Sequence, residues 1–162
     1  MMSTMRVSVY SRGDSLAELR ESVLACLSVE TAHPAYSARW SLARPTLGQC
    51  YVAAAVAAFL LNIPQQEAVI DRGVVRTVDG AIVHANHCWL TTGGLIIDFT
   101  IDQACSTFPR TVMGRPTDIA AMYGLSYEAQ SRDSLRDAQN GSAASRVQLA
   151  LGRAQGTCSA AA

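Results

Sequence analysis

One cysteine in this sequence stands where a thiol could act as a nucleophile. Cys50 follows Gly48 and Gln49 directly and precedes an Ala-rich apolar run that continues to Leu61. A thiol in the first turn of a helix lies near unpaired backbone N–H groups and the positive end of the helix dipole, and both favour the thiolate. Gly48 permits a sharp turn and a close approach of a substrate carbonyl. We therefore predict a nucleophile at Cys50, positioned by Gly48 and Gln49. The backbone N–H of Cys50 is one oxyanion donor.

A histidine and an aspartate follow on two runs with the alternation typical of strands. His87 lies in the run "AIVHANHCWL" and Asp98 in "LIIDFTI", and Gly93-Gly94 between them is a hairpin turn signal. If the turn has two residues, residue 98 pairs with residue 89 or with residue 87. In either register His87 and Asp98 share a face within direct or diagonal reach. A three-residue loop would place them on opposite faces.

Together these three residues predict a Cys-His-Asp triad. An imidazolium beside the thiol favours the thiolate, and a carboxylate on the other ring nitrogen fixes the tautomer and orientation of the ring. Cys50 is then the nucleophile, His87 the general base and acid, and Asp98 the group that orients it. The second oxyanion donor is not indicated, and no organic cofactor is required.

The elements that must position the triad are a helix and a sheet. The run from Cys50 to Leu61 carries no charge and is apolar on every side, which predicts a helix buried in protein. It is too short for a membrane helix, which needs about 20 residues. Runs at 73–78, 81–90 and 95–101 predict an antiparallel meander of three strands. The fold class is therefore α+β, with a Cys-bearing buried helix packed on the meander and further helices at its flanks.

The rest of the chain predicts a short strand at 5–10, an amphipathic helix from Ser15 to about His33, and a short helix at 117–124. The region from residue 131 onward is helix-tolerant, with a break at 141–142. We predict one domain over residues 1–155 and a mobile tail at 156–162.

Composition excludes several classes of function. Thirteen basic residues balance thirteen acidic ones, so no basic surface that would track nucleic acid is expected. All thirteen are arginine, which removes every mechanism that depends on lysine. The first thirty residues contain no uninterrupted apolar core for a secretory signal. Five cysteines without regular spacing favour a reducing compartment. We expect a cytoplasmic protein, or one exported without a signal into a host cell, that meets no membrane.

The remaining candidate residues have plainer interpretations. Cys26 is expected in the core, and Cys88 in the core on the face opposite His87. Zinc bound by Cys50, His84, His87 or Cys88 is a weak alternative, because residues 84 and 87 of a strand point to opposite faces and a structural site needs four ligands. Trp40 and Trp89 are candidates for the wall of a substrate site, Trp89 because it shares the face of His87.

The motifs around these residues also resemble a known family. The segment "W…RP…GQC" from Trp40 to Cys50, followed by "NHCWL" and "IDFTIDQ", resembles the YunG-like bacterial proteins, whose function is uncharacterised. In that pattern a GQC segment precedes an apolar helix, a Ser-His-Tyr-Trp segment follows, and an Asp-Leu-Thr segment ending in Gln-Phe closes the core. The resemblance covers residues 40–104. This chain departs from it with Cys88 in place of an aromatic residue, Phe99 in place of Leu, and Ala104 after Gln103.

The order of Cys on a helix, then His and Asp on adjacent strands, resembles the papain-like and transglutaminase-like cysteine superfamily. This resemblance implies a helix packed on an antiparallel sheet and acyl transfer through a thioester. It also implies the roles given above to Cys50, His87 and Asp98. The oxyanion glutamine of papain-like peptidases lies several residues before the cysteine, so that role does not carry over to Gln49.

These observations favour a thiol-dependent hydrolase or acyltransferase acting on an amide of a protein or a small molecule. The reaction would be peptide or isopeptide cleavage, deamidation of glutamine, or transamidation. Two alternatives remain open: a non-catalytic binding or regulatory protein that keeps the fold, and a zinc-stabilised domain. The oligomeric state is not indicated.

Overall fold

The apolar run after Cys50 forms a helix that other elements surround. The structure is a computed structural model, and it describes residues 15–160, with side chains to residue 156. Helix α3 (Cys50–Leu60) is buried from Val52 to Ala58. It packs against the second strand of the sheet and against the last helix. Because its side chains are apolar on every side, burial on several sides is the arrangement that removes most apolar surface from water.

The other elements surround α3 in a single α+β arrangement. Within residues 15–160 they are α1 (Leu16–Leu24), α2 (Pro34–Ser37), β1 (Val69–Thr77), β2 (Ile82–Thr92), β3 (Leu95–Asp98), a 3-10 turn (Ile101–Gln103), β4 (Val112–Gly114), α4 (Pro116–Tyr123), β5 (Leu125–Ser134), α5 (Leu135–Asn140) and α6 (Ala144–Ala160).

The strands form one antiparallel sheet in the order β4-β3-β2-β1-β5. The turn between β2 and β3 has two residues, Gly93 and Gly94, both with positive φ. Thr92 pairs with Leu95 and Leu90 with Ile97, which is the register that places residue 89 opposite residue 98. The first of the two registers predicted for this hairpin is therefore confirmed.

The predicted meander is the centre of a larger sheet, since β4 and β5 were not expected. The prediction of a helix-tolerant region from residue 131 onward is wrong over its first four residues, because β5 (Leu125–Ser134) continues to Ser134. Most of β5 is exposed on both faces, so its sequence carries no alternation of apolar and polar residues. Pairing with β1 along its whole length makes it a strand.

The first helix is shorter than predicted and ends at Leu24 rather than near His33. Its start is confirmed, because Ser15 and Glu18 form the expected capping box. After the helix, the Thr31 hydroxyl accepts a hydrogen bond from the Ser28 N–H at 2.8 Å and donates to the Ser28 carbonyl at 3.0 Å. These local bonds compete with helix hydrogen bonds and turn the chain.

Several other predictions can be compared with the structure. The helix expected at 117–124 is α4, and the break at 141–142 separates α5 from α6. The strand expected at 5–10 lies outside the described residues. Helix α6 extends to Ala160, and mobility of the tail stays a prediction. Among residues 15–160, no helix combines the length and apolar character that a bilayer crossing requires.

Apolar side chains form two clusters. The larger lies between α3, α1, α6 and the sheet, and includes Cys26, Cys88 and Leu90. The smaller includes Trp89, Ile96 and residues of β4, α4 and β5. Cys88 and Trp89 are neighbours in β2 and belong to different clusters, as alternation along a strand requires. The sheet therefore separates the two clusters.

Candidate active site around Cys50

Cys50 is the first residue of α3 and is placed there by a sharp turn. Gly48 has φ +69°, and a Cβ on this residue would lie 2.8 Å from the Tyr36 Cβ. A larger residue would therefore meet both backbone strain and a steric clash. The turn leaves the Cys50 thiol partly exposed at the helix start, where N–H groups have no partner within the helix. The sequence prediction for the position of Cys50 and for the turn at Gly48 is confirmed.

Gln49 is a buried anchor of this turn. Its side chain is fully buried, its Nε2 donates to the Ser28 carbonyl at 2.7 Å, and its Oε1 accepts from the Thr31 hydroxyl at 3.0 Å. Both ends of the amide are thus bound inside the protein and none faces a substrate. Gln49 positions the start of α3, as predicted. Its side chain offers no oxyanion donor.

His87 and Asp98 meet across the β2–β3 hairpin. His87 Nε2 lies 2.7 Å from Asp98 Oδ2, and both side chains are buried. The diagonal relation follows from the two-residue turn, which places Asp98 beside Trp89, two residues from His87. The predicted contact between these two residues is present.

Asp98 also accepts hydrogen bonds from three further groups. The Thr100 N–H donates to Oδ1 at 2.8 Å, the Thr100 hydroxyl lies 3.2 Å from the same oxygen, and the Tyr127 hydroxyl donates to Oδ2 at 2.9 Å. Burial raises the pKa of Asp98, but the charge and hydrogen bond of His87, with the Thr100 and Tyr127 bonds, lower it overall. The carboxylate is therefore held ionised in the interior.

The Cys50 sulfur contacts two groups of β2. It lies close to the side chains of Cys88 and His87 and to the Cys88 backbone N–H, and each of these groups lowers its pKa. The Cys88 thiol has the largest effect on the pKa of Cys50 and lowers it; burial opposes this, and His87 lowers it further. The result is a pKa well below the ordinary value. The hydrogen bond to Cys50 and burial raise the pKa of Cys88, so Cys88 stays protonated as a donor.

This contact corrects the plain interpretation of Cys88. The residue is buried on the face opposite His87, as predicted, but it is not mere filling of the core. Because α3 packs on that face of the sheet, Cys88 lies below the start of the helix and reaches Cys50. This contact could not be predicted from the sequence, since it joins α3 and β2, which are not neighbours in the chain.

Gln103 is a site residue for which no role was predicted from the sequence. It lies in the 3-10 turn after β3, and its amide bridges the turn before α3 and the histidine ring. The Gly48 N–H donates to Gln103 Oε1 at 3.0 Å, and Gln103 Nε2 lies 3.1 Å from His87 Nδ1. Gln103 closes the "IDFTIDQ" segment, so its place in that motif was the one available signal.

The donors and acceptors around His87 fix the tautomer of the neutral ring. The Gly48 N–H can only donate, so Gln103 presents its N–H to Nδ1, which must accept. The proton of the neutral ring therefore lies on Nε2, facing Asp98. Burial opposes charging of His87, but Asp98 and then Cys50 raise its pKa to about 10. Since Nδ1–H cannot donate to an N–H, the imidazolium forms only when the Gln103 amide leaves Nδ1.

A cavity of about 710 Å³ opens over Cys50, and Gly48, Gln103 and Cys88 also line it. The two tryptophans predicted for its wall do not line it. Trp89 is buried beside His87, with ring centroids 6.4 Å apart, and the Tyr127 ring packs on its edge. The Trp40 indole N–H donates to the Pro45 carbonyl at 3.0 Å. Trp89 therefore supports the histidine ring from within, and Trp40 holds the loop before α3.

The described residues give no support to the zinc alternative. In residues 15–156 no three His, Cys, Asp or Glu side chains are grouped to hold a metal ion. Cys26 is buried in the core, as predicted, and Cys105 is exposed and contacts Thr107.

Comparison with known proteins adds nothing to this geometry. The chain matches no protein-family model, and no curated protein and no solved structure is similar to it. The site must therefore be interpreted from its own residues.

Proposed function

We propose that this protein is a cysteine-dependent amide hydrolase or acyltransferase with a papain-like or transglutaminase-like core, related to the YunG-like proteins. One observation supports this most: the Cys50 thiol contacts a buried histidine whose other side is bound to a buried aspartate, at the base of an open cavity. Of the thiols with described side chains, Cys50 combines access to a cavity with a pKa that His87 lowers. A thiolate in such surroundings is a nucleophile.

The proposed reaction has two steps. The Cys50 thiolate attacks the carbonyl carbon of an amide, and the C–N bond breaks as the His87 imidazolium gives its proton to the leaving amine. Water or a second amine then attacks the thioester, His87 takes its proton, and the thiolate is released. The Cys50 N–H is one oxyanion donor, and the Gln103 N–H, once released from Nδ1, is placed to be the second.

This proposal is tested by the rate at which iodoacetamide labels Cys50 across pH, in the parent chain and in His87→Ala. Cleavage after arginine places Cys50 alone in the peptide 40–72, so mass spectrometry measures it separately from the other thiols. We expect the parent to label with an apparent pKa well below about 8.5 and most of that shift to disappear in His87→Ala. Labelling only after denaturation, or labelling that ignores His87, would reject the triad. Cys105 is the internal control.

A second candidate function, thiol–disulfide exchange, is favoured by the contact between Cys50 and Cys88. The Cys50 thiolate would attack a disulfide and displace one thiolate. The Cys88 thiol, on losing its proton, would then attack the Cys50 sulfur and displace the second, leaving a Cys50–Cys88 disulfide. Incubation of Cys88→Ser with oxidised glutathione should then give a stable mixed disulfide on Cys50, where the parent forms the internal disulfide. If neither forms, this candidate is rejected.

We propose the cytoplasm as the site of action, or the interior of a host cell after export without a signal. The substrate would be a protein or a small amide.

A further inference from the structure

The cavity over Cys50 carries an excess of positive charge. Four arginines line it, from the loop between α2 and α3, from β1 and from α6, together with two aspartates. The arginines are Arg39, Arg44, Arg72 and Arg146. Because arginines exceed carboxylates by two, the charged groups that face the cavity are unbalanced, although the whole chain carries no net charge.

The two carboxylates of the cavity are engaged with hydroxyl and backbone groups. Asp133 Oδ2 accepts from the Tyr51 hydroxyl at 2.7 Å. Asp137 caps α5, where Oδ2 accepts from the N–H and the hydroxyl of Ser134 at 3.0 and 2.7 Å. Neither forms a salt bridge with an arginine of the cavity within residues 15–156, although the charge of Asp133 does act on Arg72.

Among the described side chains, the contacts of Arg146, Arg72 and Arg39 include no salt bridge. Arg146 donates to the Thr31 carbonyl at 3.4 Å, and its charge is felt at Cys50. Arg72 lies 5.7 Å from the centre of the Tyr51 ring and bonds to the Cys88 thiol. Arg39 stacks over Tyr36 at 5.3 Å. In the described part of the chain, none of the four has a carboxylate within salt-bridge distance.

The two histidines of the cavity do not reverse this balance. Burial lowers the pKa of His84, and the nearby His87 lowers it further, so His84 is neutral at pH 7. His33 caps α2 through its Nδ1, which accepts from the Ala35 N–H at 3.2 Å. Histidine adds no negative charge in either state. The remaining opening is therefore a partly enclosed cationic site next to a thiol.

We infer that the substrate of the Cys50 site carries an anionic group, a carboxylate or a phosphate, close to the carbonyl that Cys50 attacks. This inference rests on the proposed function and names its substrate class. Arg72 and Arg146 are the two arginines assigned to that anion. Both line the cavity, Arg72 pairs with Cys88 in the register of β1 and β2, and Arg146 bonds to Thr31, the partner of Gln49 beside Cys50. A guanidinium offers paired N–H donors that match both kinds of anion.

Two alkylating agents of nearly equal size test this inference. Iodoacetate carries the negative charge and iodoacetamide does not, so the ratio of their rates at Cys50, divided by the same ratio for glutathione, reports the charge of the cavity. We expect a normalised ratio of about five or more at low salt. It should fall as salt is raised from 10 mM to 300 mM, because the Debye length shortens from about 30 Å to less than 10 Å.

Arginine variants locate the effect. Arg72→Gln and Arg146→Gln, measured separately, should each lower the normalised ratio by at least about twofold. Arg136→Gln removes the same charge from an exposed residue outside the cavity and should leave the ratio unchanged. Unchanged melting temperatures would show that the variants fold. Because there are two variants and a salt series in the parent chain, a single unfolded variant does not remove the test.

Protection separates the two kinds of anion. Succinamate, a carboxylate that also carries an amide, and inorganic phosphate are each added while iodoacetamide labels Cys50. Slower labelling with either one supports the inference and identifies the kind of anion. If neither protects Cys50 and the normalised ratio is one, the inference is wrong. In that case fast, His87-dependent labelling by iodoacetamide would still support the proposed function, whereas loss of that labelling would reject the proposed function itself.

Discussion

Two buried aspartates of the same sheet differ in what surrounds them. Asp98 and Asp71 are each 2% exposed, and each lies beside a basic side chain. The partner of Asp98 is His87, whose side chain is 0% exposed, whereas the partner of Asp71 is Arg132, whose side chain is 64% exposed. Asp71 is also bound by the Thr91 hydroxyl at 2.7 Å.

The burial of the basic partner decides what each carboxylate can do. Arg132 keeps its charge and most of its hydration whatever happens to Asp71. The His87 ring is buried, so water cannot take the place of Asp98 as its hydrogen-bond partner. Histidine also gains and loses a proton in the ordinary pH range. The same residue type therefore holds a surface arginine on β1 and controls the protonation of a ring beside a thiol at the end of β3.

The largest expected difference between the two aspartates is in stability. Asp98→Ala should lower the free energy of unfolding by about 3–5 kcal/mol, because it leaves His87 buried without its partner. Asp71→Ala should cost less, about 1–3 kcal/mol, since Arg132 can turn to water. Chemical denaturation of the two variants measures both values. Equal costs would show that burial of the partner does not matter here.

The cost of Asp98→Ala should also depend on pH. The folded pKa of His87, about 10, lies above its unfolded value, so the contribution of the ring is complete below about pH 6.5 and is lost as pH rises through about 10. The pKa of Asp98 is lowered, so its contribution is present above about pH 3.9 and is lost as pH falls through the folded value. The difference from the parent should therefore be greatest between about pH 4 and 6.5 and should shrink toward pH 10.

The next effect concerns the thiol. Asp98→Asn keeps the size of the side chain but removes the charge that raises the pKa of His87, so at pH 6.5 the labelling of Cys50 by iodoacetamide should slow about tenfold or more. Asp71→Asn is the matched control, and its rate should stay within about twofold of the parent. A similar slowing in both variants would mean that the effect reports loosening of the sheet rather than the triad.

The smallest expected effect concerns the hydrogen bond between Gln103 and His87 Nδ1. Gln103→Ala removes the N–H that occupies His87 Nδ1, so the imidazolium should form more readily and labelling of Cys50 at pH 7 should rise by about two- to tenfold, the value of one hydrogen bond. Gln130→Ala, at an exposed position of β5, is the control. Slower labelling in Gln103→Ala would instead show that the amide holds the ring in its working orientation.

Much of the site could be predicted because its parts depend on local rules. Alternation along two strands and a two-residue glycine turn are enough to place His87 and Asp98 on one face. A glycine before a uniformly apolar run predicts a cysteine at the start of a buried helix. These inferences involve neighbours in the chain or in a hairpin, where the register follows from the turn.

The other partners could not be predicted in the same way. Tyr127 reaches Asp98 from β5, a strand without alternation, and Gln103 reaches His87 from a 3-10 turn. Their side chains are of types that occur anywhere in a protein, and which of them enters the site depends on how α4 and the loop after β3 return to the sheet. The prediction that Trp40 and Trp89 line the substrate site is wrong for a similar reason. Whether an aromatic side chain faces a cavity or the core depends on packing.

The α+β class, the helix that begins at Cys50 and the hairpin that joins His87 to Asp98 could therefore be predicted from the pattern of residues, since short-range sterics and apolar periodicity set all three. Long-range packing is what places Cys88 under Cys50, Gln103 at Nδ1 and four arginines around one opening. Those contacts join segments far apart in the chain, and the packing of α3 against the sheet, which minimises exposed apolar surface, is what brings them together.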